Sequence, residues 1–170
     1  MTVDPEQLGT PEFPTPGKQR VVGDFLFLAQ RTNTYSQLPL ANFEAVFQPA
    51  IDLKQFHLFR FDDIPRGVIT WARLTPGAES RFIRGEGLRR EDWDKGDRFW
   101  VVDLIAPYGD VGGYISRWAR QPQNLPTRNF RYVRAVRGTN EVQKIVIVDH
   151  DAPKGEQIKV LSKTDYLDQR

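Results

Sequence analysis

The sequence contains no cysteine, and its 170 residues include only two histidines, His57 and His150. The missing cysteines exclude a disulfide framework, a zinc–thiolate site and a thiol nucleophile, and a metal site made of several histidines is not expected. No run of about 18 apolar residues occurs, so we expect no membrane-spanning helix. The N-terminal stretch has no apolar core of signal-peptide length, which favours a cytoplasmic protein.

An excess of one charge sign is also missing. Lys and Arg number 24 and Asp and Glu number 22, and the two signs alternate along the chain. This balance predicts no nucleic-acid surface. The length suits a single domain with its own core. Because residues 1–18 are rich in proline and glycine, we expect a flexible N-terminal arm there and one domain over residues 19–170.

Hydrophobic spacing predicts helices before strands. Apolar residues recur at helical spacing over residues 20–33, and a second helix is expected between Pro39 and Pro49. The polar region 75–96 predicts a helix with loops, and the tail after Asp151 shows little pattern. The other predicted elements are a hairpin of strands 56–61 and 68–74, a central strand 99–105, a helix 114–120, and strands 130–137 and 142–148 joined at Gly138, Thr139 and Asn140.

This order of elements indicates the fold class. Helices come first, a hairpin follows, and a strand–helix–strand unit leads into the last strands. The pattern is typical of an α+β fold with three α/β/α layers around one mixed sheet.

Asp103 is the first candidate for chemistry, because it interrupts an almost continuously apolar strand. An acid in such a place costs several kcal/mol if it has no partner, about the cost of burying any unpaired charge. Burial raises the pKa of a carboxyl group and makes it a better proton acceptor near neutral pH. A structural aspartate that bonds to the backbone or to an arginine is the alternative.

The turn after this strand contains Gly109, Asp110, Gly112 and Gly113. Glycines before a helix allow close approach of the backbone, and free N–H groups favour an anion such as a phosphopantetheine phosphate. Glycines that only permit a turn are the alternative. Farther along, the basic residues could meet an acidic partner or could be solvated surface charges; the candidates are Arg117, Arg120 and Arg134.

A longer motif resembles a sequence signature of a known protein family. The stretch over residues 91–110 reads EDWDKGDRFWVVDLIAPYGD and resembles the signature region of the RTX toxin-activating lysine acyltransferases. A weaker resemblance extends over residues 25–150. It rests on Pro39, Pro49, Ala50, Ile51, Pro65, Trp71, Phe130, Arg131 and Arg134.

The resemblance implies an activity, partners and a fold. Members of this family move a fatty acyl group from acyl carrier protein to an internal lysine of a protoxin, with no bound cofactor, on a fold similar to GCN5-type N-acetyltransferases. The resemblance also implies a homodimer. Their catalytic aspartate corresponds to Asp103, and their Gly-Asp turn corresponds to Gly109 and Asp110, which makes the turn a candidate acyl-donor site.

The family's catalytic histidine has no counterpart here. Its position corresponds to Tyr35, and Thr32 takes the small polar position three residues earlier. Tyrosine is a poor base at neutral pH, with an ordinary pKa of about 10. Three interpretations stay open: direct transfer with Asp103 or water as base and Tyr35 as acid, a role for His57 in place of the histidine, or loss of transfer with binding retained.

Three function classes follow. The first is a protein-lysine N-acyltransferase that uses acyl carrier protein and an RTX-like acceptor. The second is a catalytically impaired module of the same fold that binds acyl carrier protein, lipid or a protein partner. The third is an acetyltransferase that uses acetyl-CoA, although Asp110 and Val111 match the phosphate loop of that class poorly.

Overall fold

A single six-stranded sheet forms the centre of the molecule. The computed structural model describes residues 14–136 and 141–169. The strands lie in the order β1-β2-β3-β4-β5-β6, and all neighbours are antiparallel except β3 and β4, which are parallel. The strands are β1 (Phe56–Phe61), β2 (Ile64–Leu74), β3 (Arg98–Ile105), β4 (Asn129–Ala135), β5 (Val142–Asp149) and β6 (Ile158–Ser162).

Helices cover both faces of this sheet. One face packs against α1, α2, α3 and α5, and the other packs against α4, so the core forms two apolar layers. This arrangement confirms the predicted α+β class and the mixed sheet, and it is consistent with a GCN5-type fold. The helices of the described residues are α1 (Pro16–Ala29), α2 (Leu40–Asp52), α3 (Pro76–Arg84), α4 (Val111–Ala119) and α5 (Lys163–Asp168).

The first helix begins earlier than the sequence predicts. Thr15 caps α1 by accepting a hydrogen bond from the Lys18 amide, and Pro16 fits the first turn. Lys18 is buried and its Nζ lies 2.5 Å from the Asp52 carboxylate on α2. The end of the predicted 1–18 arm is therefore helical. The rest of that arm, residues 1–13, and the predicted turn at residues 138–140 lie outside the described residues.

Two helix ends and the C-terminal tail also differ from expectation. Pro49 does not stop α2, which continues to Asp52 because the Leu53 and Gln55 amides still reach the carbonyls of Pro49 and Ala50. The helix α4 begins at Val111 instead of 114. The weakly patterned tail forms β6, an edge strand that is mostly exposed, and α5. The strand β6 forms because it pairs with β5, and local periodicity in the sequence cannot reveal such pairing.

The parallel pair β3–β4 is short. Only Trp100–Arg131 and Val101–Tyr132 are in register, and the ladder ends there although β3 continues to Ile105. Within the described part of the chain, the C-terminal half of β3 thus pairs with β2 alone, and a cleft opens towards β4. No helix among the described residues is long and apolar enough to cross a membrane.

Candidate active site

Tyr35 lies in the turn between α1 and α2. The Thr32 hydroxyl accepts a hydrogen bond from the Tyr35 amide at 3.3 Å and donates one to the Ala29 carbonyl at 2.9 Å. The Tyr35 ring packs edge-on against Phe47 of α2, with 5.0 Å between ring centroids. Backbone and ring are both held, so the turn presents the phenol in a fixed direction.

The phenol reaches the central strand. The Tyr35 hydroxyl donates a hydrogen bond to the Asp103 carboxylate, and both side chains are half-buried. Burial, the negative charge of Asp103 and this bond together raise the pKa of Tyr35 above its ordinary value. Burial also raises the pKa of Asp103, and the bond from Tyr35 opposes this rise only in part. The structure thus brings together the two residues predicted as catalytic.

These pKa directions limit what the pair can do. A phenol with a raised pKa stays protonated at neutral pH, so its O–H remains the donor in the hydrogen bond to the Asp103 carboxylate. A carboxylate with a raised pKa holds a proton more readily than an exposed aspartate does. The arrangement therefore suits Asp103 as a proton acceptor and Tyr35 as the donor that orients it.

A cavity of about 350 Å³ lies between β3, β4 and α4. Its volume falls within the roughly 300–1,000 Å³ of small-molecule sites in general. Two predicted partner-binding residues lie on its wall, Arg120 directly after α4 and Arg134 on β4, and Arg117 is exposed on α4. The wall is formed by Ile69, Val101, Val102, Asp103, Leu104, Ser116, Ala119, Arg120, Phe130, Tyr132, Val133 and Arg134.

The predicted glycine turn lies next to this cavity without forming its wall. Gly109 has a φ of +44°, a left-handed backbone conformation that favours glycine. Asp110 precedes the first residue of α4, while Gly112 and Gly113 fall inside the first turn of the helix. The acyl-donor role of these four residues stays a prediction.

His57 lies on the other side of the sheet from Tyr35. Its ring stacks on Trp118 of α4 with 4.4 Å between centroids, and burial lowers the pKa of the imidazole. The neighbouring Phe56 packs instead against Phe25 of α1. The geometry gives no contact through which His57 could assist Asp103. Among the described residues, no cluster of His, Cys, Asp or Glu side chains could hold a metal ion.

Sequence reasoning missed two parts of this site. Thr70 is fully buried, and its hydroxyl oxygen accepts a hydrogen bond from the Asp103 amide at 3.1 Å. Phe130 and Tyr132 of β4 form the far wall of the cavity. Both depend on how strands pair across the sheet. The only sequence signal for these two parts of the site is the apolar–polar pattern of β4. This pattern does not specify the register between neighbouring strands.

The chain is similar to known proteins over most of its length. The RTX toxin acyltransferase family, labelled HlyC, matches residues 15–149. The protein-lysine myristoyltransferase RtxC of Kingella kingae is 36% identical over 90 residues, which cover 52% of this chain and 54% of that protein. The RTX-III toxin-activating lysine-acyltransferase ApxIIC of Actinobacillus pleuropneumoniae is 30% identical over 125 residues, or 73% and 70% of the two chains.

A third relative is also named as an enzyme that acylates lysine. The protein-lysine myristoyltransferase HlyC of Escherichia coli is 31% identical over 115 residues, which cover 67% of this chain and 66% of that protein. The matched segment spans about half of RtxC and about two thirds of the other two relatives. The family match covers most of the chain and includes Tyr35 and Asp103, so the chain belongs to the RTX toxin acyltransferase family.

Proposed function

We propose that the chain is a protein-lysine N-acyltransferase that moves an acyl group from acyl carrier protein to an internal lysine of an RTX-like protein. The names of the relatives, which include two protein-lysine myristoyltransferases, support the reaction class. The observation that carries the proposal is the hydrogen bond from Tyr35 to Asp103 on a strand that borders an open cavity. A cytoplasmic location and a homodimer are part of the same proposal.

The reaction needs one bond formed, one broken and one proton moved. The lysine nitrogen attacks the thioester carbonyl carbon, and the carbon–sulfur bond breaks as the amide forms. The Asp103 carboxylate takes the proton from the amine and returns it to the departing thiolate. The raised pKa of Asp103 brings it closer to that of the thiol than an exposed aspartate would be, which favours both transfers.

Tyr35 has a supporting part in this scheme. Its raised pKa makes the phenol a weaker acid than an exposed tyrosine, so direct proton donation from Tyr35 to the thiolate is disfavoured. The hydroxyl instead holds the Asp103 carboxylate in one orientation by donating to it. Because Tyr35 stays protonated, it cannot replace a histidine as base, and Asp103 takes that role.

The donor is proposed from the cavity and its charges. The cavity wall is largely apolar and suits a fatty acyl chain. Arg120 and Arg134 lie on the wall, and no carboxylate of the described chain forms an ion pair with either. Unpaired cations at a cavity attract an acidic protein, and acyl carrier protein is acidic.

Transfer between purified components tests the proposal. The protein is mixed with myristoyl-acyl carrier protein and an RTX toxin acceptor, and lysine acylation is read by mass spectrometry. We expect acylation by the wild type and a loss of at least about 100-fold in Asp103→Asn, the scale of acid–base catalysis. Asp97→Asn, the same change at an exposed residue before β3, should retain activity. Equal rates for both variants, or transfer from acetyl-CoA alone, would contradict the proposal.

A catalytically impaired binding module is the second candidate. It is favoured by one observation, the tyrosine at the position that corresponds to the family's histidine. An inert wild type that gains transfer in Tyr35→His, while it still binds acyl carrier protein by calorimetry, would support this candidate. An active wild type excludes it.

A further inference from the structure

The strand that carries Asp103 changes face just before this residue. Val101 and Ile105 are four residues apart and would share one face of a regular strand. They pack instead in clusters on opposite faces, Val101 with α4 and Ile105 with α1 and α2. A β-bulge causes the change, because Thr70 pairs with Asp103 whereas Trp71 pairs with Val101, which leaves Val102 as the extra residue.

The bulge decides where the carboxylate goes. Without it, Asp103 would follow Val101 onto the α4 face, away from Tyr35. With it, Asp103 follows Ile105 onto the face where the turn after α1 presents its phenol. The hydrogen bond from Tyr35 to Asp103 therefore depends on a local irregularity in the pairing of β2 and β3.

One side chain of β2 bonds to the bulge. Thr70 is fully buried, and its Oγ1 accepts a hydrogen bond from the Asp103 amide at 3.1 Å. A bulge disrupts the ladder locally, and a buried amide without an acceptor is costly. The same bond gives the buried Thr70 hydroxyl oxygen a donor, so both polar atoms have a partner.

We propose that Thr70 is a positioning residue for the transfer reaction: its hydroxyl fixes the bulge and so holds the Asp103 carboxylate against Tyr35. Its catalytic meaning rests on the proposed function. Thr70 itself touches neither the acyl donor nor the acceptor in this scheme, and it acts through the Asp103 backbone.

Two substitutions distinguish the contribution of the Thr70 hydroxyl group from that of the rest of the side chain. Thr70→Val keeps the shape and removes the acceptor, whereas Thr70→Ser keeps the acceptor and removes a methyl group. We expect Thr70→Val to lower kcat by roughly 10- to 100-fold, the scale of a small misplacement of a catalytic group. KM for the acyl donor should stay within about twofold, since uniform binding is untouched. Thr70→Ser should restore most of the rate.

A double-substitution cycle with Tyr35→Phe tests the route of the effect. If Thr70 acts through the bond between Tyr35 and Asp103, Thr70→Val should cost less in the Tyr35→Phe background than in the wild type. Full additivity of the two changes would overturn the proposal. Equal losses in Thr70→Val and Thr70→Ser, matched by equal losses of unfolding free energy, would also overturn it, because they indicate a purely structural role.

A readout that needs no activity keeps this inference separate from the proposed function. Carbon NMR of labelled aspartate follows the titration of the Asp103 carboxyl in the intact protein. Thr70→Val should raise the pKa of Asp103, because the carboxylate loses part of the bond from Tyr35, and Thr70→Ser should leave it unchanged. An unchanged titration in Thr70→Val overturns the proposal even if the wild type proves inert. If Thr70→Val does not fold, Thr70→Ala against Thr70→Ser gives the same comparison of the hydroxyl.

Discussion

At the scale of single residues, the site holds one proton acceptor and one fixed donor. Tyr35 donates to Asp103, and burial keeps the phenol protonated. Burial also makes the Asp103 carboxylate less stable than an exposed one, because fewer water dipoles reach it. The unfavourable environment of the charged form makes Asp103 a stronger base. The same effect should lower the free energy of unfolding, which can be measured.

Asp103→Asn should raise the free energy of unfolding near neutral pH, because it removes a carboxylate whose charged form is disfavoured by burial. The pKa of Asp103 is raised in the folded state above its ordinary value of 3.8. The folded state therefore binds the proton more tightly, and wild-type stability falls as pH rises from 3.8 through the folded pKa. Urea unfolding of both proteins across pH checks this expectation. A stability difference that widens as pH falls would contradict it.

Tyr35→Phe should shift the acid limb of the activity profile. The bond from Tyr35 lowers the pKa of Asp103 and partly offsets burial. Its removal raises that pKa further, so the active carboxylate form is lost at a higher pH than in the wild type. We expect the acid limb of kcat/KM to move to higher pH, with about a tenfold loss near neutrality, less than the roughly 10²–10⁴-fold of acid–base catalysis because Asp103 itself is retained. Tyr114→Phe, at an exposed tyrosine of α4, is the control. An unmoved limb would show that the bond has no catalytic role.

The residue pair was predictable and its support was not. The signature stretch around Asp103 and the position of Tyr35 follow from the resemblance to the family, and the structure brings the two together. Thr70 carries no signal of its own, because an isolated threonine in a β-rich stretch is ordinary. Only the register of β2 against β3 shows that it faces the Asp103 amide.

At the scale of elements, local pattern predicted the strands of the core better than the ends of the helices. The strands β1 and β3 have strong apolar or aromatic runs and were found almost where expected. The helix α2 crosses Pro49 because its last turn keeps other backbone bonds, which a rule about proline cannot foresee. The strand β6 is short and mostly exposed, and it exists because β5 offers an edge.

Gly96→Ala should destabilise the protein by about 3 kcal/mol or more, at or above the usual cost of overpacking. A Cβ at Gly96 would lie 1.9 Å from the carbonyl carbon of Leu74, so the backbone of β2 or of the loop has to move. The Gly96 amide also donates to the Arg73 carbonyl at 3.0 Å, which ties the loop before β3 to the end of β2. Urea unfolding measures the change.

Gly23→Ala is the matched control for this substitution. Gly23 lies within α1, and a Cβ there meets nothing within 4 Å. Alanine should stabilise the helix by roughly 0.5–1 kcal/mol, because glycine loses more backbone entropy on folding. Gly96→Ala within about 0.5 kcal/mol of the wild type, the range of neutral surface changes, would contradict the close packing.

At the scale of the whole molecule, the two faces of the sheet have different tasks in the proposed reaction. The face of α1 and α2 holds Tyr35 against Asp103, and the face of α4 holds the cavity with Arg120 and Arg134. Asp103 itself belongs to the cavity wall, so the two faces meet where β3 and β4 part. The layers were predictable from the order of elements, whereas the cleft was not, since it arises from where one parallel ladder ends.

Arg120→Gln combined with Arg134→Gln should weaken the docking of acyl carrier protein and leave chemistry intact. Both guanidinium groups are exposed at the cavity on the α4 face, so each contributes to the attraction of an acidic donor. We expect KM for the acylated carrier to rise by about 10-fold at low salt, the effect of losing roughly 1.4 kcal/mol, with kcat nearly unchanged. The difference should shrink as salt screens the charges, because the Debye length falls to about 10 Å at 0.1 M. Arg84→Gln, at an exposed arginine in the last turn of α3 on the opposite face, removes one positive charge away from the cavity and should change neither constant. An equal rise in KM for both proteins would assign the attraction to net charge and not to this face.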